Sequence, residues 1–363
     1  MMHEHWMSRA LMLAEKGRLG VSPNPMVGAC VVQGRRLVGE GWHRIFGQAH
    51  AEAEALRRAG RQARGATLYV TLEPCSSWGK TPPCVLSIVR AGIRTVVIAM
   101  ADPNPENHHK GIRFLRNRGI RVITGILKKE AESLNRAFIH WIRTGRPRVT
   151  LKMAQSLDGK IATSHGESRW ISSLPARGYV QKLRASSDAV LVGTETVLQD
   201  NPELIVHSGS RAENKPWRVI LDRKIRIPVS SKVFRRGPLT LCAVSERVLS
   251  SRKNVSKISG KGRILLPVRE KSGRLDLRDL LDQLGAMGVA SLLVEGGGET
   301  AWSFLNDGLV QKVIWILAPK LIGGRSSKTS LEGRGIAKLT QAIPVQNMKV
   351  SRLGPDWLME GDL

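Results

Sequence analysis

Residues able to hold a soft divalent metal occur in a telling order. His50-Ala51-Glu52 opens an Ala/Glu/Leu/Arg segment after Gly47, Pro74-Cys75 follows a strand-like run, and Cys84 begins a helix-like one. One imidazole and two thiolates are ligands that zinc favours. Three protein ligands leave the fourth tetrahedral position to water, the arrangement of a catalytic site rather than a structural one. A thiolate at a helix N-terminus is favoured by the dipole and by the metal. Zinc lowers the pKa of its water to about 7, and Glu52, two residues from His50 and not itself a ligand, is placed to take that water's proton. Any one of these residues alone reads more simply as a helix N-terminal histidine or a buried thiol. Their order, and their positions at strand–helix junctions, favour the metal.

The surrounding pattern supplies those junctions. Helical spacing of apolar residues marks 7–16, 49–59, 84–91 and 112–118, and an amphipathic helix is expected over 129–143. Strand-like runs fall at 27–32, 67–72, 95–100 and 121–125. The alternation predicts an α/β sandwich with helices on both sheet faces. Thr144-Gly145-Arg146-Pro147-Arg148 breaks it, because Gly and Pro end a helix. The domains are therefore expected at 1–145 and 148–363. In the second, strands are expected at 149–153, 189–192, 218–221, 239–244, 263–268, 291–295 and 312–316, helices at 175–185, 277–287 and 299–307, and a surface loop or helix over 245–261.

His-x-Glu followed by Pro-Cys matches the pattern of zinc deaminases, from which the proton-shuttling role of Glu52 is taken. Base and nucleoside deaminases usually space their cysteines as C-x-x-C, whereas eight residues, Ser76 to Pro83, intervene here. With this loop the chain resembles the bifunctional deaminase–reductases of riboflavin biosynthesis. The matching stretches are Asn24-Pro25-Met26-Val27-Gly28-Ala29, Gly41-Trp42-His43, His50-Ala51-Glu52, Thr71-Leu72-Glu73-Pro74-Cys75, Gly79-Lys80-Thr81-Pro82-Pro83-Cys84 and Asp102-Pro103-Asn104-Pro105. The resemblance implies a cytidine-deaminase-like three-layer α/β/α domain, with Asn24, His43, Lys80, Asp102 and Asn104 contacting a pyrimidine and its ribose phosphate.

It continues through 151–162, 166–171, Arg184-Ala185, Asp200-Asn201-Pro202, Val294-Glu295-Gly296-Gly297-Gly298 and 318–324. This half implies a dihydrofolate-reductase-like α/β domain that uses NADPH to reduce the substrate's ribosyl chain. Ala154, Trp170, Thr196, Asp200, Gly297, Gly298, Glu299 and Thr300 would contact NADPH; Ser168, Arg184, Leu204, His207 and Glu295 would face the substrate. Independently, a strand, a Gly-rich turn and a helix N-terminus over 291–307 make an anion site. Departures from the family pattern are Ser77 in place of a histidine, Asn107-His108-His109 in place of a small, Gly-containing stretch, Ile205 and His207 in place of threonine and arginine, and Arg223 in place of serine. A neutral imidazole at 207 does not clamp a phosphate as a guanidinium does. The expected function is zinc-dependent deamination of 2,5-diamino-6-ribosylamino-4(3H)-pyrimidinone 5′-phosphate, then NADPH-dependent reduction to the ribitylamino-uracil phosphate. The alternatives are a deaminase with an impaired reductase half, or a nucleic-acid deaminase.

Composition bounds these readings. The 363 residues suffice for two domains with their own cores. Four cysteines are too few and too scattered for a disulfide framework, which points to a reducing cytosol. No signal-peptide or bilayer-length apolar run occurs. A net charge of +27 attracts phosphorylated metabolites and nucleic acid alike. The basic residues are dispersed without interleaved aromatics, which disfavours specific nucleic-acid binding. Homo-oligomerisation is left open.

Overall fold

The computed structural model describes residues 2–79, 81–206, 216–235, 237–249 and 263–363. It divides into two compact units, Met1–Gly145 and Arg146–Leu363.

The first unit is a five-stranded sheet in the order β2-β1-β3-β4-β5. Its strands are β1 (Gly28–Gln33), β2 (Arg36–Trp42), β3 (Thr67–Leu72), β4 (Thr95–Met100) and β5 (Arg121–Thr124). Antiparallel pairing joins β1 to β2 and β3, whereas β3, β4 and β5 run parallel. β3 and β4 are almost wholly buried and rich in Val, Ile and Leu, as strands covered on both faces must be. Two close approaches define the layers. A Cβ on Gly28 would stand 2.0 Å from the Ala10 carbonyl of helix α1 (Met2–Glu15), and one on Gly41 2.6 Å from the Ala51 carbonyl of helix α2 (Ala51–Ala59). Gly41 pairs with Ala29, the neighbour of Gly28, so these glycines face opposite sides of the sheet. Helices α3 (Cys84–Arg90) and α4 (Lys110–Asn117) complete the crossovers between the parallel strands.

Two expectations need correction here. β2 was not anticipated, because Gly39 and Gly41 dilute its strand pattern; small residues are needed there to let α2 approach. The amphipathic segment over 129–143 is two helices, α5 (Lys128–Leu134) and α6 (Arg136–Thr144). Asn135 between them is 2% exposed, accepts the Met26 N–H at 2.8 Å and donates to the Met26 carbonyl at 3.0 Å. A contact between residues 109 positions apart thus decides where the helix breaks.

The second unit is a nine-stranded sheet, β10-β9-β8-β7-β13-β6-β14-β16-β15. Its strands are β6 (Arg148–Ser156), β7 (Ala189–Gly193), β8 (Trp217–Leu221), β9 (Thr240–Ser245), β10 (Arg263–Val268), β13 (Ser291–Glu295), β14 (Lys312–Ala318), β15 (Gln346–Leu353) and β16 (Asp356–Asp362). β11 (Glu270–Lys271) and β12 (Arg274–Leu275) form a separate small hairpin. Strands β10 through β14 are parallel, and the terminal hairpin pairs antiparallel at the edge. That hairpin, whose β15 is almost wholly exposed and polar, was not expected; nor was the short helix Thr194–Asp200. Helices Leu277–Ala286 and Gly298–Asn306 cover one face with Leu280, Leu284 and Phe304. Helix Leu174–Ala185 packs Ala176 and Val180 against Ile314 and Ile316. Of the expected 245–261 segment, Glu246–Leu249 is helical, and 250–261 lies outside the described residues.

His109, just before α4, sits at φ 59° in the left-handed region, where a side chain costs about 1–2 kcal/mol. A histidine at this position is therefore strained. His109→Gly is expected to raise stability by about 0.5–1 kcal/mol in urea unfolding, and His109→Val to lower it by a similar amount. A glycine variant less stable than the parent would show the strain is offset by contacts of the imidazole.

Candidate functional site

Three element ends meet in the first unit. His50 is the N-cap of α2, Cys75 follows β3, and Cys84 is the first residue of α3. His50 Nδ1 lies 3.2 Å from Cys84 Sγ and 3.6 Å from Cys75 Sγ, and the three donor atoms lie within 4.8 Å of one another. Nitrogen at about 2.0 Å and sulfur at about 2.3 Å from one tetrahedral zinc stand roughly 3.5 Å apart, so this donor set fits the ion. The Cys84 N–H donates to Cys75 Sγ at 3.3 Å. Hydrogen bonding by the Cys84 side chain, then by His50, holds the Cys75 thiol down at about 4 against the burial that opposes it. One sulfur is thus disposed to be a thiolate, the form that binds metal. Thr81 Oγ1 stands 3.4 Å from the other ring nitrogen of His50, as an orienting partner of a ligand histidine does.

Glu52, in the first turn of α2, is 4% exposed, and burial pushes its carboxyl pKa up. A carboxyl whose neutral form is stabilised can return a proton as well as take one. His43 is equally enclosed. Its Nδ1 is 3.1 Å from the Ala49 carbonyl and its Nε2 3.2 Å from the Asn24 amide nitrogen. Donation by Nδ1–H and acceptance at Nε2 assign the neutral tautomer, in accord with the burial that lowers its pKa. Its ring centroid lies 5.4 Å from that of His50. Asp102, beyond the end of β4, is buried, which raises its pKa; Oδ1 accepts the Asn104 N–H at 2.9 Å and Oδ2 the Asn107 amide at 3.1 Å. The Asn104 side chain is engaged locally, accepting the Glu106 N–H at 3.0 Å. Lys80 and His207 lie outside the described residues.

Glu73 was quoted in a motif but given no role by sequence reasoning. Its carboxylate accepts the N–H groups of Asp102, His109 and Ile112 at 3.1, 3.0 and 3.1 Å. It ties the cysteine-bearing end of β3 to the loop after β4 and to the start of α4. Its donors lie 29 to 39 residues away, so no local pattern exposes the role.

In the second unit, β13 inserts between β7 and β6, and the chain's strand order reverses there. Ligands of open α/β sheets bind beyond the carboxyl ends of strands at such a reversal. A cavity of about 620 Å³ lies there, lined by residues including Ala154, Ser168, Trp170, Arg184, Thr196, Asp200, Leu204, Glu295 and Gly297. Arg184 grips Glu295 with two bonds, 2.6 and 2.9 Å, and Lys152 Nζ stands 3.6 Å from the same carboxylate. Burial alone would raise the Glu295 pKa, but Arg184 and Lys152 outweigh it and hold it at about 2. Lys152 was not singled out from sequence; β6 alternation and the partner on β13 bring it into the cavity. Ser168 Oγ donates to Asp200 Oδ1 at 2.7 Å.

Gly298, Glu299 and Thr300 do not line this cavity. A Cβ on Gly298 would stand 2.5 Å from the Thr329 carbonyl, and Thr300 Oγ1 lies 2.6 Å from where a Cβ on Gly193 would be. Glu299 is paired outward with Arg274 at 3.7 Å. Gly298 and Thr300 thus pack against neighbouring chain, while Glu299 faces outward. Arg223 is likewise outside the cavity lining, 3.5 Å from Glu270. All four cysteines are unpaired, and among the described residues no helix is long and apolar enough to cross a membrane.

Comparison with known proteins accounts for both units. Residues 1–100 match the cytidine and deoxycytidylate deaminase zinc-binding region, and residues 147–359 match the RibD C-terminal domain. The riboflavin biosynthesis protein RibD of Bacillus amyloliquefaciens is 41% identical over 98% of this chain and 95% of its own length. That of Escherichia coli is 40% identical over 98% of each. The RibD structure from Acinetobacter baumannii superposes with a TM-score of 0.90 at 36% identity, covering 99% of this chain and 98% of its own. A diaminohydroxyphosphoribosylaminopyrimidine deaminase/5-amino-6-(5-phosphoribosylamino)uracil reductase from Thermotoga maritima gives 0.85 at 35% identity, with the same coverage of each chain. With near full-length identity of this size joined to a clustered His/Cys/Cys set and a reductase unit, the chain belongs to the RibD family, the bifunctional deaminase–reductases of riboflavin biosynthesis.

Proposed function

We propose that the first unit deaminates 2,5-diamino-6-ribosylamino-4(3H)-pyrimidinone 5′-phosphate and that the second reduces the ribosyl chain of the product. The observation that carries the reading is the convergence of His50, Cys75 and Cys84 donor atoms within 4.8 Å beside the buried Glu52. In this reading those three residues hold zinc, which when bound lowers the pKa of the attacking water to about 7. Glu52 would take the two protons of that water in turn, passing one to the ring nitrogen and one to the departing amine, so that a C–O bond forms, the C–N bond breaks and ammonia leaves. Asn24, His43, Asp102 and Asn104 hold the pyrimidine. The neutral His43, anchored by the Ala49 carbonyl, orients the Asn24 amide beside it, and the carboxylate of Asp102 accepts ring N–H groups.

In the second unit, NADPH when bound supplies hydride to ribosyl C1′. Ala154, Trp170, Thr196, Asp200 and Gly297 face the nucleotide in this reading, and Ser168, Arg184, Leu204 and Glu295 face the substrate, joined by Lys152. Five cations line the cavity (Lys152, Arg169, Arg177, Arg184 and Lys232) against three carboxylates (Asp200, Glu203 and Glu295). That excess of positive charge suits an anionic substrate and a phosphorylated cofactor.

Glu52→Gln is expected to cut ammonia release by about 10²- to 10⁴-fold, with zinc content preserved and NADPH oxidation on the deaminated intermediate unchanged. A chelator should likewise abolish ammonia release alone; persistence of deamination in zinc-free protein would sink the metal reading. Lys152→Met removes one cation beside Glu295 and is expected to raise the KM for the deaminated phosphate about tenfold or more, the scale of a charged hydrogen bond. Deamination should be untouched, and an unaltered reductase KM would place Lys152 outside the substrate site.

A further inference from the structure

Two of the positions that depart from the family pattern meet in space. Ser77, between the two cysteines, and Asn107, in the loop after β4, are 30 residues apart, yet Ser77 Oγ donates to Asn107 Oδ1 at 2.9 Å. The other end of that amide, Nδ2, donates to Asp102 Oδ2 at 3.1 Å. The other ties of Asp102 are made by its own backbone or come from the backbone of Asn104. Its N–H donates to Glu73 at 3.1 Å, its carbonyl accepts His108 Nδ1 at 2.7 Å, and Oδ1 accepts the Asn104 N–H at 2.9 Å. Among the described residues, Asn107 is thus the side chain that grips the Asp102 carboxylate.

We propose that Ser77 and Asn107 form a polar relay that positions Asp102 for the pyrimidine and so sets the deaminase's affinity for its substrate. The proposal rests on the reading above in which Asp102 contacts the ring. An ionised carboxylate only accepts hydrogen bonds, so it draws the Nδ2 end of Asn107 towards itself and leaves Oδ1 facing the loop. That oxygen then needs a donor, and the Ser77 hydroxyl supplies one. A histidine at 77 and a small residue at 107 would not make this chain of bonds; the serine and the asparagine do so only together. With one donor on each oxygen, the carboxylate cannot swing, yet each oxygen keeps lone-pair capacity for the ring's N–H groups. Asn107 and Ser77 are positioning residues and do not enter the proton transfers. Their loss therefore falls on binding and spares the chemical step. The relay also joins Ser77, between the two cysteines, to the Asp102 carboxylate, so that the two sides of the site are set by one set of bonds.

The test is steady-state ammonia release by the full-length zinc-loaded protein, with zinc content and NADPH oxidation on the deaminated intermediate measured on the same preparations. Asn107→Ala should raise the deaminase KM about five- to tenfold with kcat within about twofold, as expected for one hydrogen bond to a carboxylate. Asn107→Asp, the same shape with no donor, should do at least as much. Ser77→Ala should raise KM about threefold and Ser77→Thr should restore it, since threonine keeps the hydroxyl. The Ser77→Ala/Asn107→Ala pair should be no worse than Asn107→Ala alone, the non-additivity of residues in one network. Asp102→Asn separates the two levels of the argument. If it raises KM while the Asn107 variants do not, the relay is overturned and the role of Asp102 stands. If it leaves KM unchanged, the reading beneath the relay fails with it. Loss of zinc, or a matching fall in kcat in the Asn107 variants, would make the contact a structural one and overturn the proposal.

Discussion

Crowding an imidazole and two cysteine sulfurs within 4.8 Å is the demand around which the first unit is organised. Three electron-rich donors so close need a cation, or else hydrogen bonds that let one sulfur carry charge while the others stay neutral. The fold prepares for either by placing His50 and Cys84 at the starts of α2 and α3, where unpaired N–H groups favour negative charge, with Cys75 in reach of one of them. The parallel pairing of β3 and β4 then brings the loops after both strands to one end of the sheet. That is why Asp102, 27 residues beyond Cys75 by number, belongs to the same site. Glu73 converts this proximity into fixed geometry by taking two N–H groups from the second loop and one from the start of α4.

The second unit solves a different problem with the same sheet logic. Reversal of strand order around β13 opens a crevice, and the crevice is lined by ends of β6, β7 and β13 together with the loops that follow them. Within it, Glu295 neutralises only part of the charge of Arg184 and Lys152. A buried carboxylate gripped at two points is rigid, and the uncompensated positive charge is left for an anionic ligand. Small residues at the turn let the following helix seat against neighbouring chain, with Gly298 tight against the Thr329 carbonyl and Thr300 tight against Gly193.

Much of this was legible from residue order. Strands β3 and β4 match their expected bounds because their apolar runs are continuous and bounded by turn residues. The metal-ligand set was legible because its residues carry unusual chemistry at element junctions. β2 and β15 were missed because glycines and polar side chains mask a strand whose partners supply its stability. The break at Asn135 was missed because its cause, the Met26 backbone, is remote. Glu73 and Lys152 were in plain view, but nothing local distinguishes a carboxylate that takes three distant N–H groups, or a lysine that reaches a distant glutamate, from a solvated charge.

By itself, then, the order of residues determined which chemistries were available and which elements could form, since propensity, periodicity and metal-ligand type are properties of short stretches. Tertiary structure alone decided which of those residues meet. The pairing of Ser77 with Asn107, the triad of Lys152, Arg184 and Glu295, and the outward turn of Glu299 all depend on strand order and loop path. Hydrogen bonds and ion pairs act over a few ångströms, and only the folded chain brings residues tens to over a hundred positions apart within that range.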